Sequence, residues 1–233
     1  MVVISEFRLW QDLVRPEWWS RPSGVRWGYW KLDWNMDDSS WCGHNGSGNS
    51  NYVTWHIDWT QAYNASSTSY NVNVANSSDL YMGSWEKFSF WFWIKPNYSI
   101  STGATYWVIS MTRNIDSYTW RSIHNDSNSR NRQLRLRWSG WALTQQLTWL
   151  SWSSGERFHF VITYDGSTFR YYKNSVQVGS FTWSTGDCAT GYPLTIWYAS
   201  TWNAYGNAVY QEAFYMKNYC LTQDEITKIY AYT

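Results

Sequence analysis

Two β-hairpins written back to back constrain this chain more than any other feature. Arg157 to Ser180 reads RFHFVITYDGSTFRYYKNSVQVGS. Phe158, Phe160, Ile162 and Tyr164 alternate with His159, Val161 and Thr163, the period of a strand with one face on a core. Asp165-Gly166 follows as a tight turn, because glycine takes positive φ without steric cost and aspartate tolerates it. A second strand, Thr168 to Lys173, leads into Asn174-Ser175, and a third runs through Val176 and Val178. The stretch predicts three antiparallel strands in a meander.

Within it, His159, Thr163, Tyr164, Asp165, Gly166, Tyr172 and Asn174 fall on a His-aliphatic-x-x-Thr-Tyr-Asp-Gly strand and turn followed by Tyr-x-Asn-Gly. In this pattern the chain resembles the laminin-G-like, concanavalin-A-like jelly-roll family. Ser175 stands in place of the pattern's last glycine, which strains the backbone if the turn is of a primed type. Glu212 to Tyr230 is similar to the family's closing strand and short helix, with Glu212-Ala213 in place of its Asp-Glu pair. Trp34 to Asn49, WNMDDSSWCGHNGSGN, resembles its early Asp-x-Ser-Gly-Asn loop, and Lys87 to Pro96 one of its strands.

The resemblance implies an all-β fold, an antiparallel two-sheet jelly-roll sandwich of the concanavalin A-like type with a short C-terminal helix. It makes residues 31–233 the laminin-G-like domain, and leaves 1–30 as an N-terminal arm or an extra edge strand. Laminin-G-like domains often bind calcium at a loop end, so it also makes Asp37, Asp38 and Asp79 candidate calcium ligands. Oxygen-rich loops suit a hard cation. Asp37-Asp38-Ser39-Ser40 reads equally well as turn and cap chemistry.

Aromatic residues are the compositional anomaly, with 21 Trp and 19 Tyr in 233 residues. Along Phe88 to Lys95, Phe88, Phe90, Phe92 and Ile94 fall on one face and Ser89, Trp91, Trp93 and Lys95 on the other. Both faces are largely apolar, so this strand belongs in the centre of a sheet or beneath a loop, a helix or a neighbouring subunit. Leu147 to Trp152 and Trp18-Trp19 carry the same expectation. A domain of this size cannot hide every ring, and exposed aromatics in quantity mark contact surfaces. Trp10, Trp18, Trp19, Trp91 and Trp93 are therefore the candidate partner or glycan contacts. Residues 35–51 and 64–79, rich in Asn, Ser and Gly, are expected to be loops. Thr222 and Glu225 spell a capping box, and Leu221 and Ile226 a hydrophobic staple, so the closing helix starts at Thr222.

Other classes are excluded by what the chain lacks. A mean hydropathy of −0.54 and 44% hydrophobic residues fit a globular protein, and no apolar run is long enough to insert in a bilayer. Eighteen basic against seventeen acidic residues give a net charge of +1, too little for a nucleic-acid surface. Arg130 to Arg137 reads as the solvated face of a strand. Cys42, Cys188 and Cys220 are too far apart for a CxxC metal site. The related glucanases carry Glu-x-Asp-x-x-Glu on one strand, and that string is absent here; no Glu has an acidic residue two or four places away, so a paired-carboxylate hydrolase is not expected.

Two non-catalytic readings follow. The preferred one is a structural or decoration protein of a virion or extracellular assembly, in contact with other structural subunits as a homo- or hetero-oligomer. It rests on a chain that begins with Met, carries no signal peptide and ends just after the closing helix. The alternative is a lectin-like adhesion module that stacks glycans on Trp and Tyr rings. Either implies a virion-surface or extracellular location, with calcium as the one cofactor to consider.

Overall fold

The computed structural model describes residues 24–40, 42–49, 51–54, 61–66, 70, 72–75, 77–80, 86–97, 106–111, 120–125, 132–138, 141–146, 151–182, 194–196, 198–199, 204–205 and 208–232. Strands are numbered in chain order. One sheet contains β1 (Arg26–Trp30), β3 (Tyr52–Thr54), β4 (Gln61–Asn64), β6 (Phe88–Pro96), β11 (Phe158–Tyr164), β12 (Thr168–Lys173), β13 (Val176–Thr182) and β17 (Ala208–Lys217). Its order is β13-β12-β11-β6-β17-β4-β3, with β1 also paired to β17. The other contains β2 (Gly46–Ser47), β5 (Val72–Val74), β7 (Tyr106–Met111), β8 (Trp120–Asn125), β9 (Arg132–Trp138), β10 (Trp141–Gln146) and β14 (Leu194–Ile196), in the order β10-β9-β8-β7-β14-β5-β2. Strands β15 (Tyr198–Ala199) and β16 (Ala204–Tyr205) pair separately, and the helix is α1 (Gln223–Tyr232). All of these pairings are antiparallel. The described residues form an all-β two-sheet sandwich with one short helix.

The meander forms where its turn residues put it. Asn174 and Ser175 both take positive φ, 51° and 63°, the geometry of a type I′ hairpin. Asn174 also extends the ladder: its N–H donates to the His159 carbonyl, and its Oδ1 accepts from the His159 N–H, both at 2.9 Å. At the other tip, Gly166 sits at φ +103°, and Asp165 Oδ1 accepts from the N–H groups of Ser167 (2.9 Å) and Thr168 (2.8 Å). Arg170 Nη1 reaches Asp165 Oδ2 at 2.6 Å. Against the upward pull of partial burial, these hydrogen bonds, Arg170 foremost, hold the Asp165 carboxyl well below the usual range.

Strand β6 runs between β11 and β17, with Phe92 opposite Phe160 on one side and Ala213 on the other. One face of this sheet, with Phe88, Phe90, Phe92, Ile94, Phe158, Phe160, Ile162 and Tyr210, packs toward Val72 and Val74 of the opposite sheet. Its other face makes a second core of Trp91, Trp93, Val161, Tyr172, Phe214 and Met216, closed by Leu221 and Ile226 at the start of α1. All seven residues of β11 are therefore buried. The alternation predicted one buried face; α1 supplies cover for the second.

Ser89 fixes the approach to that helix. Fully buried in β6, its Oγ donates to the Tyr219 carbonyl (3.1 Å) and accepts from the Leu221 N–H (2.8 Å). The capping box closes as the sequence predicts. Thr222 N–H and Oγ1 reach Glu225 Oε2 at 2.7 and 2.8 Å, and the Glu225 N–H returns to Thr222 Oγ1 at 3.3 Å.

Three expectations meet the structure differently. Residues 35–51 contain β2 and 64–79 contain β5, each too short and too polar in its flanks to stand out by periodicity. In Leu147 to Trp152, residues 147–150 lie outside the described residues, and Ser151 and Trp152 follow the end of β10 without strand geometry. Of the segment 1–30, Arg26–Trp30 is β1, hydrogen-bonded along β17, and residues 1–23 lie outside the described residues.

Candidate functional site

The turn that follows β1 is held from both sides. Trp30 is fully buried, and its Nε1 donates to the His44 carbonyl at 2.8 Å. Asp38 organises the loop: its carboxylate accepts from the N–H groups of Tyr29 (3.0 Å), Ser40 (2.8 Å) and His44 (2.9 Å). Its own N–H donates to Asn45 Oδ1 at 2.9 Å, and Gly46 N–H donates to the Met36 carbonyl at 2.7 Å. Leu32, at φ +60°, is fully buried, and Met36 is buried too.

Between those two anchors, Trp34 and Asn35 are exposed and Asp33 is half-buried. Trp34 is 69% exposed. Asp33 Oδ1 accepts from the Trp34 N–H at 2.8 Å, and Asn35 Oδ1 from the Asp37 N–H at 3.0 Å, so local side chains pin the bend. Beside it lies β3, where Tyr52 meets Tyr63 edge to face at 6.0 Å. Tyr63 donates to the Asn49 carbonyl at 3.3 Å. Burial, then the charges of Asp33 and Asp37, push the Tyr52 hydroxyl up to about 12. Burial, with Tyr52 and Tyr70 next to it, pushes Tyr63 up as well. The loop that carries the exposed indole thus also carries the two carboxylates whose charge reaches Tyr52 of β3.

The sequence-derived site residues sort differently. Trp91 and Trp93, expected as contacts for a partner or glycan, are 2% and 6% exposed. They are core: Trp91 stacks on Phe214 at 5.5 Å, and Trp93 on Tyr230 of α1 at 5.7 Å. Arg157 lies 4.0 Å over the Trp93 ring. Trp10, Trp18 and Trp19 lie outside the described residues.

Asp37, Asp38 and Asp79 do not make a calcium cage as they are arranged. Asp38 uses its carboxylate on three backbone donors, Asp79 pairs with Arg26 at 3.1 Å and faces His44 Nε2 at 3.8 Å, and Asp37 is exposed in the loop. Among the described residues no three of His, Cys, Asp and Glu gather at one point. The turn-and-cap reading of Asp37-Asp38-Ser39-Ser40 describes what Asp38 does.

The described glutamates are each engaged within the fold. Glu86 pairs with Lys217 and Glu156 with Lys173, Glu225 caps α1, and Glu212 accepts from the Tyr29 hydroxyl at 3.5 Å. Glu6 and Glu17 lie outside the described residues. No helix among the described residues is long and apolar enough to cross a membrane.

No family model matches the chain, and no curated protein matches it in sequence. Solved structures do resemble it in shape. Domain 4 of a GH43 extracellular arabinanase from Geobacillus stearothermophilus, in complex with arabinotriose, superposes with a TM-score of 0.68 at 15% identity, covering 88% of this chain and 98% of that one. The binding domain of Paraclostridial Mosquitocidal Protein 1 gives 0.68 at 15% identity over 88% of this chain and 51% of that one. The receptor binding domain of botulinum neurotoxin D gives 0.59 at 15% identity over 88% and 52%. The chain thus spans about half the length of both toxin structures. At this identity the likeness establishes the β-sandwich fold alone.

Proposed function

We propose that this chain is a non-catalytic glycan-binding module of the extracellular space, and that its contact is the platform built on Trp34. One observation carries the reading: a tryptophan 69% exposed on a bend anchored at both ends by buried residues. Leaving an indole in water forgoes on the order of 2 kcal/mol of burial. A flat exposed ring on a backbone pinned by local hydrogen bonds, with carboxylates at neighbouring positions that accept hydroxyl hydrogen bonds, suits the apolar face and polar edge of a pyranose or furanose. The solved neighbours are described as binding domains or hold arabinotriose, which supports this reading over an enzyme. Assembly with other structural subunits loses two of its named contacts, Trp91 and Trp93, to the core.

Titration calorimetry against a panel of neutral, amino and acidic oligosaccharides, arabinotriose included, tests the proposal. We expect Trp34→Ala to lose about tenfold or more in affinity, a stacking contact being worth about 1–1.5 kcal/mol. The unfolding midpoint should stay within about 0.5 kcal/mol of the parent, as for other exposed positions. No reducing ends should be released. Binding unaffected by Trp34→Ala would refute the assignment; an oligomer in sedimentation together with no glycan binding would favour the assembly reading.

A further inference from the structure

The platform's charge selects among sugars, an inference that rests on the glycan-binding reading above. Asp33 and Asp37 flank Trp34 in sequence, Asp37 exposed and Asp33 half-buried. Among the described residues neither carboxylate is in an ion pair. Asp33 spends one oxygen on the Trp34 N–H and keeps the other. Their field is felt at Tyr52, whose hydroxyl is buried without a hydrogen-bond partner among the described residues.

We infer that the Trp34 site takes uncharged or amine-bearing sugars and rejects acidic ones. A sialic, uronic or sulfated group held at this loop would face the field of two carboxylates that no described ion pair neutralises. At partly solvated distances, each like-charge contact lowers affinity by a few-fold, and the two together by about tenfold. Hydroxyls face no such penalty, because an ionised carboxylate is an acceptor only and matches an O–H donor. An ammonium would gain where the acid loses.

Calorimetry on the full chain, with matched oligosaccharides that differ only by one terminal sialic acid, tests the selection. We expect the neutral member to bind about tenfold tighter at low salt, with the gap narrowing as salt screens the carboxylates. The double variant Asp33→Asn with Asp37→Asn should close the gap through gain for the acidic sugar, since an asparagine Oδ1 still accepts from the Trp34 N–H. Equal or tighter binding of the acidic member, lost in Trp34→Ala, would overturn this inference and leave the glycan-binding reading standing. A panel in which no sugar binds would remove both.

Discussion

His159 makes the stability of this fold acid-sensitive in a way that one substitution can isolate. Its ring is fully buried beneath α1, 5.3 Å from Trp91, 5.2 Å from Trp93 and 6.1 Å from Tyr230. Neither ring nitrogen has a hydrogen-bond partner among the described residues. Burial, reinforced by the positive charge of Arg157, lowers its pKa from 6.5 to about 3. The folded state therefore keeps the ring neutral while the unfolded chain protonates it below its ordinary pKa. By linkage, stability is complete above about pH 7 and falls as the pH drops from about 6.5 toward 3. At about pH 4.5 the loss from this one group is on the order of 2–3 kcal/mol, out of a typical total of about 5–15.

His159→Phe keeps an aromatic ring in the slot and removes the titration. Carboxylates such as Asp165 also cost stability in acid, but they do so in both proteins and cancel in the difference. Urea unfolding followed by tryptophan emission, at about pH 7 and about pH 4.5, gives that difference at each pH. The variant should gain on the parent by about 2–3 kcal/mol between the two conditions. A difference that does not change with pH would mean that His159 is protonated in the fold or reached by water, and would refute the argument.

Ser89→Ala should cost about 2–3 kcal/mol in the same urea assay at neutral pH, because it removes the buried hydroxyl that bonds both the Leu221 N–H and the Tyr219 carbonyl. Hydrogen exchange should then be faster in α1 than in β11 and β12. Ser175→Gly should act in the opposite direction, raising stability by about 0.5–1 kcal/mol, since residue 175 sits at φ +63°. A loss in midpoint there would show that the serine side chain holds the turn.

The features legible in the sequence are those whose causes lie within a few residues. Asn174-Ser175, Asp165-Gly166 and the Thr222–Glu225 box are short-range devices, and each is found where the residues spell it. Exposure of the tryptophans was not legible. Trp91 and Trp34 are the same residue type; one is covered by a helix that begins at Gln223, and the other stands between two buried anchors. The polar neighbours of Trp34, Asp33 and Asn35, are the local signal that could have raised it above the rest. The pairs Asp38–Tyr29 and Asp79–Arg26 join distant positions, so the aspartates looked like free ligands until their partners were placed.

Strand β17, residues 208–217, pairs with β6 near the middle of the chain and with β1 near its beginning. A nascent chain emerging from the ribosome therefore makes β6 early and must hold its unpaired edge, and both apolar faces, until β17 and α1 have been synthesised more than 110 residues later. Contacts of such long range close slowly and leave aggregation-prone surface open in the interval. A message truncated anywhere before residue 208 would yield a product with an open seam through the middle of its sheet, a substrate for chaperones and proteases in place of a smaller working domain.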